Sequence, residues 1–425
     1  MKVLVISNTP WDDSNSFGNT FSNLFFGIED AELYNLCLKN GVFNNSVVSK
    51  AVQLTDRSVL KSIYSPSFDP CMVMTDGIAD SDVNQEISVN ARKRRRFISF
   101  LIRDLIWKLG RWKKSHILNE FLEEIKPDVI YLPTYTSKHL CDVQLYVINK
   151  LNIPVVLHMT DDDYGCDPRA SFATKWYKKG LRRKLDRIIS KCSYIEVFAE
   201  TMKEEYEKTF GKTCYVIGKG INIDELEPIK YEKKQDNISF VYTGNIGDER
   251  YRSLYQIGKA LDECRADREL SLNIYSATPL TDEMERLFAS SPSIKFHGAV
   301  SKAEVEEIQK NADYLVHAEG FSERAIFSVR MSFSTKIIDC LVKGKPMLAV
   351  GPYEVNSIKV LKDENIAVVA TAEDEIKARV AEILDGSIDL DKIGKSVEKY
   401  LTEKRDIKKI QAGIKARLDG LVDKK

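Results

Sequence analysis

Short apolar runs of strand length, each followed by turn residues and a helical pattern, restrict this chain to an α/β architecture. In the first half the runs are KVLVISN (2–8), AELYNLCL (31–38), DVIYLP (128–133), IPVVLHM (153–159), SYIEVFA (193–199) and CYVIG (214–218), with helical patterns at 138–150 and 169–190 among them. Alternation of this kind requires right-handed crossovers and a mostly parallel sheet. Residues 219–236 break it, being polar and charged with no period, as a linker would be. The alternation resumes with ISFVYTG (238–244), SLNIYS (271–276), IKFHG (294–298), DYLVH (313–317), PMLAV (346–350) and IAVVA (366–370). The expectation is two Rossmann-like, doubly wound domains at 1–218 and 237–404, facing a cleft. A helix over about 405–425 can pack back on the first. Ligands of such sheets bind at the carboxyl ends of the strands. Residues 54–100 show no clean period and read as a long loop or insert.

At 425 residues the chain is long enough for two cores. Formal net charge is zero, so no global field attracts nucleic acid, and none is expected as a partner. Met1-Lys2 leads straight into the first strand run, and no run of 18 apolar residues occurs; neither a secretory leader nor a spanning helix is expected. The eight cysteines are scattered without a CxxC pair, which suits reduced thiols in a cytoplasm.

The segment FSTKIIDCLVKGKPMLAVGP (333–352) carries the strongest chemical signal. Ser334 and Thr335 stand where a helix begins, and free N–H groups there suit a diphosphate. Lys336 adds a point charge at the same end. Asp339, at i+3 from Lys336, shares its face and could accept ribose hydroxyls. An ordinary capped helix with a Lys–Asp pair has the same pattern. VYTGNIGDERY (241–251) is a strand–Gly turn in which Gly244 and Asn245 precede Arg250; glycine lets phosphate approach the backbone and arginine pairs with it bidentately.

On these residues the chain resembles the GT-B-fold glycosyltransferases, close to the family-4 group and bacterial capsule and O-antigen sugar transferases. The family segment SxKIxEYLAxGKPxLA is matched from Ser334 to Pro346. The resemblance implies that Asp339 replaces a ribose-binding Glu, and that Gly244, Asn245 and Arg250 touch the donor diphosphate. The stretch 294–324 is similar to another family segment, so His297 and Gly298 would meet the nucleobase and Glu319 the sugar. Many members carry a second Glu eight residues before the position of Asp339; here it is Met331, a departure.

After the first strand, Gly18 and Asn19 precede an apolar-periodic helix in the place of the family's acceptor loop. HMTDDDYGCDPR (158–169) ends another strand; Asp161, Asp162 and His158 are the catalytic candidates, since adjacent carboxylates repel and one can take a raised pKa. Asp161–Asp163 also reads as a metal-binding DxD, but Arg250 and Lys336 would supply that charge, so no metal is expected. In 91–122 a cationic run, Arg94, Arg95 and Arg96 included, leads into a helical pattern carrying Trp107, Trp112 and Lys113. This suggests peripheral contact with anionic lipid at the inner face of the cell membrane.

The expected activity is transfer of a sugar from a UDP- or GDP-linked donor to a glycan or lipid-linked acceptor. The resemblance implies retention at the anomeric carbon; no other cofactor and a role in bacterial surface polysaccharide synthesis are expected with it. A nucleotide-sugar epimerase and a non-catalytic sugar-nucleotide-binding protein remain as alternatives.

Overall fold

In the computed structural model of the protein, residues 1–74, 93–232 and 237–423 are described, the side chains of 93–98 excepted. The described chain forms two compact units, one of Met1–Lys219 with Ile407–Lys425, the other of Gly220–Asp406.

The first unit is built on β1 (Lys2–Ser7), β2 (Glu32–Cys37), β3 (Val48–Leu54), β4 (Cys71–Met74), β5 (Val129–Pro133), β6 (Val155–Met159), β7 (Tyr194–Val197) and β8 (Cys214–Val216). Their order is β4-β3-β2-β1-β5-β6-β7-β8, parallel except for β4 against β3. Helices cover both faces of such a sheet, so its strands read as continuous apolar runs. Val3 to Ile6 and Val129 to Leu132 are accordingly buried. Strand order runs one way from β1 to β4 and the other way from β5 to β8, which puts the topological switch between β1 and β5.

The second unit contains β9 (Ile238–Thr243), β10 (Leu270–Tyr275), β11 (Ile294–Gly298), β12 (Tyr314–Ala318), β13 (Met347–Val350) and β14 (Val368–Ala370). They form a parallel sheet ordered β11-β10-β9-β12-β13-β14, with its switch between β9 and β12. Ile229 and Tyr231, inside the polar stretch 219–236, are buried in this unit's core, and Ile229 N–H donates to Glu398 Oε1 at 2.6 Å. The mixed α/β class with two parallel sheets agrees with the sequence expectation.

Residues 54–74 are a correction to it. They fold into a helix, Asp56–Tyr64, and the edge strand β4. Thr55 and Ser58 form a reciprocal capping box that fixes the helix start, and the turn after it is held by Asp69, whose carboxylate accepts from Cys71 N–H and Ser115 Oγ. Residues 75–92 lie outside the described residues.

The helix Ile407–Val422 belongs to the first unit, where Ile414 and Leu418 enter its core. A buried polar chain holds it there. Arg417 Nη2 donates to Glu196 Oε1 on β7 at 2.6 Å. Tyr131 on β5 donates to the other oxygen of Glu196 and lies 2.7 Å from His158 Nδ1 on β6. A buried carboxylate is tolerated only when paired in this way.

Candidate functional site

The second unit brings several expected site residues to its switch point. Gly244 directly follows β9 and Glu319 directly follows β12. Arg250 opens the helix Arg250–Cys264, and its Nε lies 2.8 Å from Glu319 Oε2. His317 Nε2 lies 3.3 Å from the other Glu319 oxygen. Burial works against the Glu319 charge, but His317 and Arg250 outweigh it and hold this carboxyl below its usual range. Glu319 is therefore engaged with Arg250 and His317 and orients the Arg250 guanidinium.

Lys336, exposed on the short helix Thr335–Leu341, comes to the same place. A Cβ added to Gly244 would stand 3.3 Å from Lys336 Nζ and 3.3 Å from Tyr242 Oη. Any side chain there would crowd the ammonium, which gives glycine a positional reason. Asn245 shapes the turn: its Oδ1 accepts from Gly247 N–H at 2.6 Å and from Thr278 Oγ1 at 3.1 Å. Ser334 is the N-cap residue, without a side-chain capping bond, and its N–H donates to Ser357 Oγ at 3.1 Å. Thr335 is the first helical residue, and Asp339 lies half-buried one turn beyond Lys336. Met331 is buried in the unit's core, so an apolar side chain fits where many family members have Glu.

His297 and Gly298 lie on the edge strand β11, two strands away from β9. His297 stacks on Tyr275 with ring centroids 4.5 Å apart, and its Nε2 is 2.9 Å from Asn273 Oδ1. Gly298 has φ 77°, which favours glycine. The expected capping box of Ser301 and Glu304 opens the helix Lys302–Lys310.

In the first unit the catalytic candidates at 158–163 separate. His158 is fully buried among Phe21, Tyr131 and Phe198, and burial lowers its pKa to about 3. It is a neutral core histidine, a correction to its catalytic expectation. Asp162 Oδ1 accepts from Tyr206 Oη at 2.9 Å and Gly165 N–H at 2.6 Å, so it braces its own loop. Asp161 is exposed. Of these carboxyls the one with a raised pKa is Asp163, the far end of the DxD pattern, in place of Asp161 or Asp162. Burial, with Asp161 and Asp162 adding to it, pushes it up to about 6, against Thr134 Oγ1 donating to it at 2.8 Å and the nearby Lys178 ammonium. Asp163 thus joins Thr134 at the carboxyl ends of β5 and β6.

A raised carboxyl favours the protonated folded state. Stability should therefore fall as pH rises from about 4 to about 6, by ~2 kcal/mol. Asp163→Asn should remove that fall, melting above the parent at pH 7 and level with it near pH 4; parallel melting-temperature profiles would contradict the burial of this charge.

Gly18 and Asn19 do not precede their helix. It runs Ser16–Phe25 with Asn15 as N-cap, and Asn15 Oδ1 already accepts from Gly18 N–H. A Cβ on Gly18 would lie 2.0 Å from the Asp12 carbonyl oxygen, so the glycine serves close packing in the first turn.

The lipid expectation for the tryptophans is also corrected. Trp107 and Trp112 are each 2% exposed. Trp107 Nε1 donates to Asp56 Oδ1 at 2.6 Å, and Trp112 Nε1 to the Trp107 carbonyl at 2.8 Å. An indole N–H in a core needs such a partner; both rings pack the helix Lys93–Leu109 onto its own unit. Lys113 is exposed. The side chains of Arg94, Arg95 and Arg96 lie outside the described residues.

No family profile matches the sequence, and no curated protein matches it. Solved structures do. The chain is similar to HepE of Anabaena in complex with UDP, with a TM-score of 0.63 at 12% identity over 99% of this chain and 100% of that one. It is similar to the lipopolysaccharide outer core galactosyltransferase WaaB, with a TM-score of 0.56 at 14% identity over 98% of this chain and 100% of that one. Sucrose-phosphate synthase from Thermosynechococcus elongatus gives a TM-score of 0.64 at 11% identity, with 100% of both chains covered. The fold is that of the GT-B glycosyltransferases.

Proposed function

We propose that this chain is a glycosyltransferase that moves a sugar from a nucleoside diphosphate sugar to a glycan or lipid-linked acceptor, holding the donor in its second unit. The observation that carries the reading is the meeting of Gly244, Lys336 and the Arg250–Glu319 pair at the β9/β12 switch point. A diphosphate suits the place because Gly244 has no side chain to hold it off the backbone and the exposed Lys336 ammonium stands beside it. Negative charge that builds on the leaving diphosphate would be met by Lys336 and by Arg250, held in place by Glu319. These two cations do what a metal does in other transferases, which favours a metal-independent reaction. Asp339 is assigned to the ribose hydroxyls, and the His297–Gly298 turn to the base. Retention at the anomeric carbon follows the family resemblance.

UDP is the favoured carrier, because HepE has been solved with UDP and with UDP-glucose. WaaB, a lipopolysaccharide transferase by its description, supports a role in surface polysaccharide synthesis. The first unit is assigned to the acceptor, with Thr134 and Asp163 at its strand ends. All eight cysteines are free, in keeping with a cytoplasmic location, and among the described residues no helix is long and apolar enough to cross a membrane.

A thermal-shift panel of nucleoside diphosphates tests the donor site. A ligand at a hundred times its Kd adds about 2.7 kcal/mol to stability, so UDP should raise the melting temperature by several degrees, and GDP by less. If no nucleoside diphosphate moves it, the reading fails. Incubating UDP-sugars alone and finding an epimer, with no transfer to any acceptor, would replace it by the epimerase.

A further inference from the structure

Buried tryptophans leave open what the cationic segment is for, and the outward faces of two helices answer it. The helix Lys93–Leu109 carries six cationic residues and one acid. Its inner side is spent on packing through Asp104 and Trp107. Its outer side shows Ile102, Leu105 and Leu109, 54%, 54% and 57% exposed, at i, i+3 and i+7, with exposed Lys108 between them.

The helix Phe172–Lys191 repeats the pattern. It carries eight cationic residues and one acid. Tyr177, Leu181 and Leu185 are buried, while Phe172 and Trp176 are 85% and 55% exposed. Lys175, Lys179 and Arg183 are exposed on the same face as those two rings. The two helices meet where Phe100 and Tyr177 lie 5.8 Å apart. Lys138 Nζ joins them, 3.8 Å from Asp104 of the first and 5.1 Å from the Trp176 ring of the second.

Scattered surface apolar residues need no explanation, but adjoining stripes of them amid cations do. Among residues 99–109 and 172–191 six cations are exposed, Lys108, Lys175, Lys179, Arg183, Arg187 and Lys191, against one exposed acid, Asp186, in a chain whose formal net charge is zero. A second copy of the same face would be repelled by that charge. Nucleic acid would use the cations and have no use for isoleucine and leucine. Anionic lipid uses both, phosphate for the cations and acyl chains for the apolar side chains.

We propose that the outward faces of residues 99–109 and of the helix Phe172–Lys191 form a docking surface for an anionic phospholipid bilayer. It goes beyond the donor reading and fails separately from it, since none of its residues belongs to the second unit.

The full chain is sedimented with vesicles of phosphatidylcholine alone and of equal parts phosphatidylcholine and phosphatidylglycerol. Three proteins are compared: the parent, Leu105→Ser with Leu109→Ser, and Phe172→Ser with Trp176→Ser. These side chains are exposed, so melting temperature and the UDP shift should stay at parental values. The parent should sediment with the anionic vesicles only, less so at high salt, and each double variant should bind about tenfold more weakly. No binding to anionic vesicles would overturn the proposal. So would parental binding by both double variants, or displacement from vesicles by a DNA oligonucleotide that both variants bind as the parent does.

Discussion

Replacing Glu196 by alanine should destabilise the first unit by about 3–5 kcal/mol, the usual effect of removing one partner of a buried ion pair. Glu196 is fully buried on β7, and its two oxygens accept from Arg417 and from Tyr131. Without it the Arg417 guanidinium keeps its charge in a recess over the Tyr215 ring, 4.8 Å from the centroid, and Tyr131 loses an acceptor. The melting temperature should drop by about 10 °C. Glu196→Gln keeps an acceptor oxygen and should fall between the two. Arg417→Ala strands the buried carboxylate instead and should be destabilising to a similar extent. A Glu196→Ala protein that melts with the parent would show that the helix Ile407–Val422 is held by Ile414 and Leu418 alone.

Lys336→Ala should lower kcat/KM for donor turnover by about 10²–10³, the range for losing one charge-stabilising donor at a developing anion. Lys336 is exposed, so stability without nucleotide should be unchanged. The UDP-induced rise in melting temperature should nearly vanish. Lys336→Arg keeps the charge, but a planar fork does not reproduce a compact ammonium beside Gly244, and partial recovery is expected. A parental UDP shift in Lys336→Ala would move the diphosphate away from this lysine.

Local signals told most about the sheets. β1, β5, β6, β12 and β13 are short apolar runs because both faces of an interior parallel strand are buried. The Ser301–Glu304 capping box was legible because both its halves lie within one turn of helix. The helix Asp56–Tyr64 and β4 were not, since a short edge strand and a helix with few apolar positions leave little period to read. Trp107 and Trp112 misled for another reason. An amphipathic stripe shows that one face is apolar, never whether protein or lipid covers it. His158 and Asp163 divided on burial, which sequence spacing does not report. Glu196 and Arg417 pair across 221 positions, beyond any local pattern. Lys336 and Gly244 each pointed to a phosphate from local chemistry, but their closeness depends on the β9/β12 switch.

The return of residues 407–422 to the first unit bears on how the protein is made. The ribosome delivers residues 1–219 early, yet the Glu196 carboxylate must wait for Arg417 until the whole of Gly220–Asp406 has been synthesised. A domain that emerges first normally folds first; here its nascent form carries an unmatched acid and an uncovered apolar strip. The second unit, contiguous in the chain, has no such wait. Maturation should therefore finish in reverse order of synthesis, with the opening half of the polypeptide the last to become protease-resistant.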